Sequence, residues 1–185
     1  MKSAVQLSPS QNLFYPMTEF YEQAGTPFPE IVRLEGQEVP EPYRGLLVHD
    51  RDMTPTLAEA YRETMELRIL QKIVREDVFT RKIVLKGADS GRIVVFAAIK
   101  IYLDHFDAEG RRLILAGGKP FGTILHEQGI RHFSRPEAFI QVLADDWIRG
   151  ALSLADASPL YGRRSALWNS TGNALAQVLE ILPPS

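Results

Sequence analysis

Three strand-like runs separated by tight turns occupy residues 66–103, and they constrain the fold more than any other feature of the sequence. Apolar and polar side chains alternate over residues 66–74, and the runs at 79–85 (FTRKIVL) and 93–103 follow. Gly87–Gly91 lies between the second and third runs and has the composition of a turn. A period of two residues is typical of β-strands, so we predict an antiparallel meander here.

The remainder of the chain adds a second set of strands and a few short helices. Thr54 is predicted as the N-cap of a helix with Pro55 at its first position, and a second helix is predicted over residues 121–128. Residues 161–168 and 174–182 are predicted to form a final hairpin. The sum is about six strands with helices packed on one side, an α+β fold with a single antiparallel sheet. The absence of βαβ alternation argues against a Rossmann-type nucleotide site.

Composition indicates one ordinary globular domain over residues 1–185, in which residues 1–11 are expected to be loose. The chain is 45% hydrophobic and 24% charged, and it has no cysteine, which excludes thiol catalysis and zinc ribbons. Its net charge of −2 comes from mixed charges, so no nucleic-acid partner is expected. No signal peptide, membrane span or room for an N-terminal DNA-binding domain is visible, and a cytoplasmic location is expected.

Arg81 is the first candidate for a binding residue. It begins the run FTRKIVL, where alternation places it on the same face as Ile83 and Leu85. That face is therefore predicted to point inward, where an arginine is costly unless it meets an anion. Either an internal carboxylate or the carboxylate of a ligand, bound bidentately, would meet this requirement.

Three further charged residues lie in the last two predicted strands. Glu180 shares a face with Val178 and Leu182, and a carboxyl group in such an apolar pocket can carry a proton at neutral pH. A satisfied ion pair, with Arg81 as one partner, is the alternative. Arg163 and Arg164 point to opposite faces of a strand, so at most one of them lines a pocket.

The sequence lacks the residue spacing that other catalytic, metal-binding or phosphate-binding motifs require. Gly117–Lys119 is followed by Pro120, where a phosphate-binding loop needs Ser or Thr. The group His49, Asp50 and Asp52 cannot direct three side chains to one metal from an extended segment, and we predict no metal site. No G-x-S-x-G sequence is present, which leaves a triad hydrolase without support.

Six segments, in this order, resemble the chorismate pyruvate-lyase family over roughly residues 40–184. They are LLVHDRDMTPTL at 46–57, FTRKIVL at 79–85, VVFAAIKIYLDHF at 94–106, KPFGTIL at 119–125, YGRRS at 161–165 and LEILPP at 179–184. The resemblance implies one antiparallel sheet with a ligand cavity enclosed by flaps. It also implies an enzyme that eliminates pyruvate from chorismate to give 4-hydroxybenzoate or an isomer, without metal or cofactor.

The same resemblance implies roles for individual residues. Arg81 would bind the ring carboxylate, Glu180 would act as proton donor, and the backbone of Met53 and Phe121 would contact the product. Gly122 belongs to the same predicted wall as Phe121. Arg163, Arg164 or Lys119 would hold the second carboxylate of the substrate. The alternative to an enzyme is a non-catalytic module of the same fold that binds or senses a small aromatic acid.

Overall fold

One seven-stranded antiparallel sheet organises the chain in the computed structural model, which describes residues 9–185, with side chains from residue 12. The strands are β1 (Ile31–Leu34), β2 (Met65–Arg75), β3 (Val78–Gly87), β4 (Ile93–Tyr102), β5 (His132–Leu143), β6 (Pro159–Asn169) and β7 (Ala174–Leu182). Their order across the sheet is β1-β5-β6-β7-β4-β3-β2. The prediction of an α+β fold with a single antiparallel sheet is confirmed.

The sheet consists of two meanders that join at its centre. Strands β2, β3 and β4 form the first meander, and β5, β6 and β7 form the second. Strands β4 and β7 pair across the junction, which places Ala97 opposite Glu180, and Glu180 lies opposite Arg163 on the next strand. Two side chains singled out from the sequence therefore meet in the middle of the sheet.

The described residues also form seven helices and two short 3-10 turns. The helices are α1 (Pro9–Phe14), α2 (Thr18–Ala24), α3 (Tyr43–Leu47), α4 (Met53–Tyr61), α5 (Ala108–Ala116), α6 (Phe121–Glu127) and α7 (Asp146–Leu152). Helices α3 to α6 pack over one face of the sheet, where Leu57 and Phe121 enter its core. Helices α1, α2 and α7 contribute Phe14, Tyr21 and Ile148 to the core on the opposite face.

The alternation of side chains along each strand decides which residues lie on which face of the sheet. Arg81, Ile83 and Leu85 all face the helices α4 and α6, as the sequence predicts. Val84 points to the other face, into the cluster that contains the aromatic side chains of α1 and α2. Each central strand therefore has one face that packs into the hydrophobic core and one face that lines a cavity.

Several local predictions need correction. Helix α4 begins at Met53 with Asp52 as its N-cap, so Thr54 and Pro55 lie inside its first turn. Strand β1 lies in the segment rich in proline and glycine, from which no regular element was predicted. The expectation that residues 1–11 are loose falls partly on residues 1–8, outside the described residues, and Pro9 already belongs to α1. Among residues 9–185, no helix has the length and apolar character needed to cross a membrane.

Candidate functional site

A cavity of about 990 Å³ lies between the sheet and the helices α4 and α6. Its floor is the inner face of β3, β4, β6 and β7, and its walls include Met53 at the start of α4 and Phe121 at the start of α6. Arg81, Arg163 and Glu180 all line it. The cavity is at the upper end of the roughly 300–1,000 Å³ that small-molecule sites occupy.

Arg81 is the most unusual side chain in this cavity. It is 1% exposed, and its Nη2 donates a hydrogen bond of 3.1 Å to the carbonyl oxygen of Lys119. Its Nε and Nη1 atoms are buried and have no partner in the part of the chain that the structure describes. Burial lowers the pKa of Arg81 to about 10, so the guanidinium is still charged at neutral pH. A buried cation with two unused donors can accommodate an anion.

Apolar side chains lie on one side of Arg81, whereas its neighbour on β2 is Lys72. Ile83, Ile99 and Val178 lie on the same floor of the cavity as Arg81, and all three are at least nine-tenths buried. Apolar walls exclude water, which strengthens the attraction between the guanidinium and an anion. They also favour a ligand whose body is itself apolar.

Arg163 and Glu180 form a buried ion pair beside this site. Arg163 Nε donates a hydrogen bond of 2.8 Å to Glu180 Oε2. The remaining nitrogens of Arg163 donate to the carbonyl oxygens of His49 at 3.0 Å and Arg51 at 3.0 Å. The guanidinium therefore fixes the segment before α4 against the sheet, and its donors are used within the protein. Of the two explanations for Glu180, the ion pair is correct, although its partner is Arg163 and not Arg81.

Arg164 does not belong to the site. The alternation of β6 directs it to the opposite face, where it donates to the side chain of Asn12 at 2.7 Å and forms an ion pair of 3.0 Å with Glu137. Its inclusion among the substrate-binding residues is wrong for this reason. The expectation that only one of the two adjacent arginines can line a pocket agrees with this geometry.

Met53, Phe121 and Gly122 all line the cavity, at the N-terminal ends of α4 and α6. Gly122 allows these two ends to approach, because a Cβ atom there would lie 3.1 Å from Asp52 Oδ2. A role of these residues in ligand contact stays a prediction. Both large side chains are buried, since Met53 and Phe121 are each 4% exposed.

Asp52 and His132 make a contact at the cavity wall that the sequence did not suggest. His132 Nε2 lies 2.7 Å from Asp52 Oδ2, and both residues line the cavity. The hydrogen bond that His132 donates to the Asp52 carboxylate is the main reason why the pKa of His132 is raised. The pair joins the start of β5 to the N-terminus of α4 across a separation of eighty residues.

His49 is held by its surroundings as a neutral ring. Its Nδ1 accepts hydrogen bonds from Arg163 Nη1 at 3.2 Å and from the Arg51 backbone, and its Nε2 lies 2.8 Å from the Leu46 carbonyl oxygen. Burial and the charge of Arg163 lower its pKa. Both ring nitrogens are thus engaged in fixing the turn before α4, and no cluster of metal-ligating side chains is found among the described residues.

Two serines in the floor of the cavity were missed from the sequence. Ser165 on β6 is 1% exposed, and its hydroxyl oxygen has no hydrogen-bond partner among the described residues. Ser134 on β5 is also buried, and both side chains line the cavity. The alternation of β6 could have identified Ser165, because it shares a face with Arg163.

Comparison with known proteins identifies the fold. No protein-family model and no curated protein matches the chain. Among solved structures, the effector domain of PhnF from Mycobacterium smegmatis matches with a TM-score of 0.54 and 13% identity, over 71% of this chain and 87% of that one. YydK from Bacillus subtilis, described as a possible transcriptional regulator, matches with a TM-score of 0.51 and 12% identity, over 64% of this chain and 58% of that one.

The match spans less than two thirds of the longer structures that the chain resembles. A longer PhnF structure matches with a TM-score of 0.53 and 13% identity over 71% of this chain, and the match spans 63% of that PhnF chain. At these identities the likeness establishes the fold alone, which is the chorismate lyase-like fold expected from the sequence.

The prediction of a cofactor-independent carbon–oxygen lyase is wrong. The structures that share the fold are an effector domain and a possible transcriptional regulator. The expected substrate, chorismate, and the expected products, hydroxybenzoate and pyruvate, are overturned by the same finding. Glu180 also differs from the proton donor that a lyase would need, because it is the acceptor in a buried ion pair with Arg163. The comparisons favour the alternative, a non-catalytic module that binds a small molecule.

Proposed function

We propose that this chain is a non-catalytic sensing domain for a small aromatic or cyclic carboxylate, whose anionic group is bound by Arg81. The observation that carries the proposal is the buried guanidinium of Arg81, with two donors that no described residue uses. Leaving such donors unpaired is costly, and the oxygen atoms of a carboxylate can accept charge-assisted hydrogen bonds from a guanidinium.

Arg81 is better explained by a ligand than by packing. Elsewhere in the sheet the buried cation Arg163 has a carboxylate within 2.8 Å, whereas Arg81 has only one carbonyl oxygen, that of Lys119. The Lys119 ammonium is occupied by Glu127 at 2.7 Å. A ligand anion would supply the charge that Arg81 lacks within the described chain.

The apolar walls define the remainder of the ligand. Ile83, Ile99 and Val178 line the same floor of the cavity as Arg81, so we expect the part of the ligand that lies over them to be a hydrocarbon or an aromatic ring. The effector domain of PhnF shares this fold, which supports a sensing role over a purely structural one. Because fold alone does not decide function, the argument rests on the site.

Thermal unfolding in the presence of matched acids and amides tests the proposal. Benzoate, 4-hydroxybenzoate and cyclohexanecarboxylate are each compared with the corresponding neutral amide. We expect the acids to raise the melting temperature, since a ligand at one hundred times its Kd stabilises the folded state by about 2.7 kcal/mol. The amides, which lack the negative charge, should have little effect. Equal shifts from acid and amide, or no shift from any acid, would overturn the proposal.

The matched control is Arg164→Met. Arg164 is a neighbouring sheet arginine on the face away from the cavity. Its substitution should leave the difference between acid and amide unchanged, which separates a specific site from general attraction to the positive charges of the sheet. Loss of that difference in the control would argue for a site elsewhere.

A further inference from the structure

Arg81 and Ser165 lie at the two ends of one row of side chains across the sheet. Arg81 pairs with Ile99, Ile99 pairs with Val178, and Val178 pairs with Ser165. All four side chains line the cavity. Three strand spacings of about 4.8 Å place the two end Cα atoms roughly 14 Å apart.

Ser165 requires an explanation of its own. Its hydroxyl oxygen is buried, faces the cavity and has no partner in the described part of the chain. An alanine would fill the same position without leaving a polar group unpaired. Together with Arg81, it is one of two buried polar side chains in the floor of the cavity with atoms that no described residue satisfies.

Further polar groups surround Ser165. Ser134 lines the cavity and lies diagonally across from Ser165, at a Cα separation of about 7–8 Å by the register of β5 and β6. Glu180 is the corresponding diagonal neighbour on β7. Two hydroxyl groups and a carboxylate form a polar corner, defined here as Ser134, Ser165 and Glu180, which favours a hydrogen-bond donor on the ligand.

We infer that the cavity binds an elongated organic acid, with its carboxylate at Arg81, an apolar body over Ile99 and Val178, and a hydroxyl group at the polar corner. This inference rests on the proposed function, since it takes Arg81 as the anion site. It adds two properties of the ligand to the proposed function: an elongated shape, and a hydroxyl group at the end away from the carboxylate. The separation of the Arg81 and Ser165 Cα atoms exceeds the length of a single ring, and the cavity of about 990 Å³ has room for a longer body.

Calorimetric titration with three rigid acids tests the inference. The probes are 4-hydroxybenzoate, biphenyl-4-carboxylate and 4′-hydroxybiphenyl-4-carboxylate. We expect the hydroxybiphenyl acid to bind best, about tenfold tighter than the biphenyl acid, because one added hydrogen bond changes affinity by about that factor. In Ser165→Ala this preference should fall to about twofold or less, while the affinity for biphenyl-4-carboxylate stays the same.

The control variant is Ser170→Ala, which changes an exposed serine in the turn between β6 and β7 and should keep the tenfold preference. Removing an unpartnered hydroxyl should not impair folding, so Ser165→Ala should melt no lower than the wild type. Binding of 4-hydroxybenzoate as tight as that of the longer acids, or a preference unchanged by Ser165→Ala, overturns the inference and leaves the proposed function standing. Failure of all three acids to bind overturns both.

Discussion

Arg163 and Glu180 lie opposite each other on β6 and β7, where Arg163 Nε donates a hydrogen bond of 2.8 Å to Glu180 Oε2. Arg81 lies on the same face of the same sheet and is equally buried, but it has no carboxylate among the described residues. The described residues thus supply a carboxylate partner for Arg163 but none for Arg81. This difference is the reason why we propose a structural role for Arg163 and ligand binding for Arg81.

Replacement of Arg163 by methionine should destabilise the protein by about 3–5 kcal/mol. The substitution leaves Glu180 buried without its partner and releases the carbonyl oxygens of His49 and Arg51 that precede α4. Urea denaturation followed by circular dichroism measures the loss.

The double variant Arg163→Met, Glu180→Leu is the control for this prediction. Removing both charges avoids an unpaired buried carboxylate, so part of the lost stability should return. If the double variant is as unstable as the sum of the two single variants, the ion pair is not what stabilises this region.

The contact between His132 and Asp52 should make stability depend on pH. The Asp52 carboxylate raises the pKa of His132 above its ordinary value of 6.5, so the folded protein binds this proton more tightly than the unfolded chain does. The stabilisation is fully present below pH 6.5 and is lost as the pH rises through the raised pKa. Urea denaturation at a series of pH values between about pH 5 and pH 9 measures it.

His132→Gln isolates this effect from other titrating groups. Glutamine can still donate a hydrogen bond to Asp52, but it cannot acquire a charge. His49 titrates with the opposite sign, because burial and Arg163 lower its pKa, and this contribution is common to both proteins. The difference in unfolding free energy between wild type and variant should therefore shrink as the pH rises above 6.5. A constant difference would show that the contact is not charged.

Gly162→Ala should disrupt the centre of the sheet. A Cβ atom at residue 162 would lie 2.4 Å from the Glu180 carbonyl oxygen, and the backbone there cannot move without breaking the pairing of β6 and β7. We expect a loss of about 1–3 kcal/mol or more. Gly150→Ala in α7 is the matched control, because a Cβ atom there meets nothing within 4 Å. It should stabilise the helix by about 0.5–1 kcal/mol, and equal effects of both variants in denaturation would contradict this account.

The elements with a clear period were predictable from the sequence, and those that depend on distant contacts were not. The run that became β2 alternates over residues 66–74, and the runs that became β3 and β4 are rich in apolar residues, so all three could be predicted as strands. Strand β1 is only four residues long and pairs with β5 from more than one hundred residues away. The N-cap of α4 was misplaced because Asp52 directs its carboxylate to His132 and makes no side-chain capping hydrogen bond.

The sequence predicted which side chains face the candidate site, but it did not predict which of them pair with each other. Alternation placed Arg81, Glu180 and one of the two adjacent arginines toward a common cavity, as the structure has them. Which carboxylate meets which arginine depends on the order of the strands, and the pairing of β4 with β7 leaves no local signal. For that reason Glu180 was assigned a catalytic role, whereas its position opposite Arg163 makes it part of an ion pair.

The unfolding free energy of ligand-free Arg81→Met tests the central claim most directly, because it requires no knowledge of the ligand. If Arg81 is a ligand-binding residue without a protein partner, methionine of similar volume should stabilise the free protein by about 1–4 kcal/mol. The same variant should lose the melting-temperature shift that benzoate produces in wild type. A loss of stability comparable to that of Arg163→Met, with the response to benzoate retained, would contradict the account and make Arg81 a structural residue.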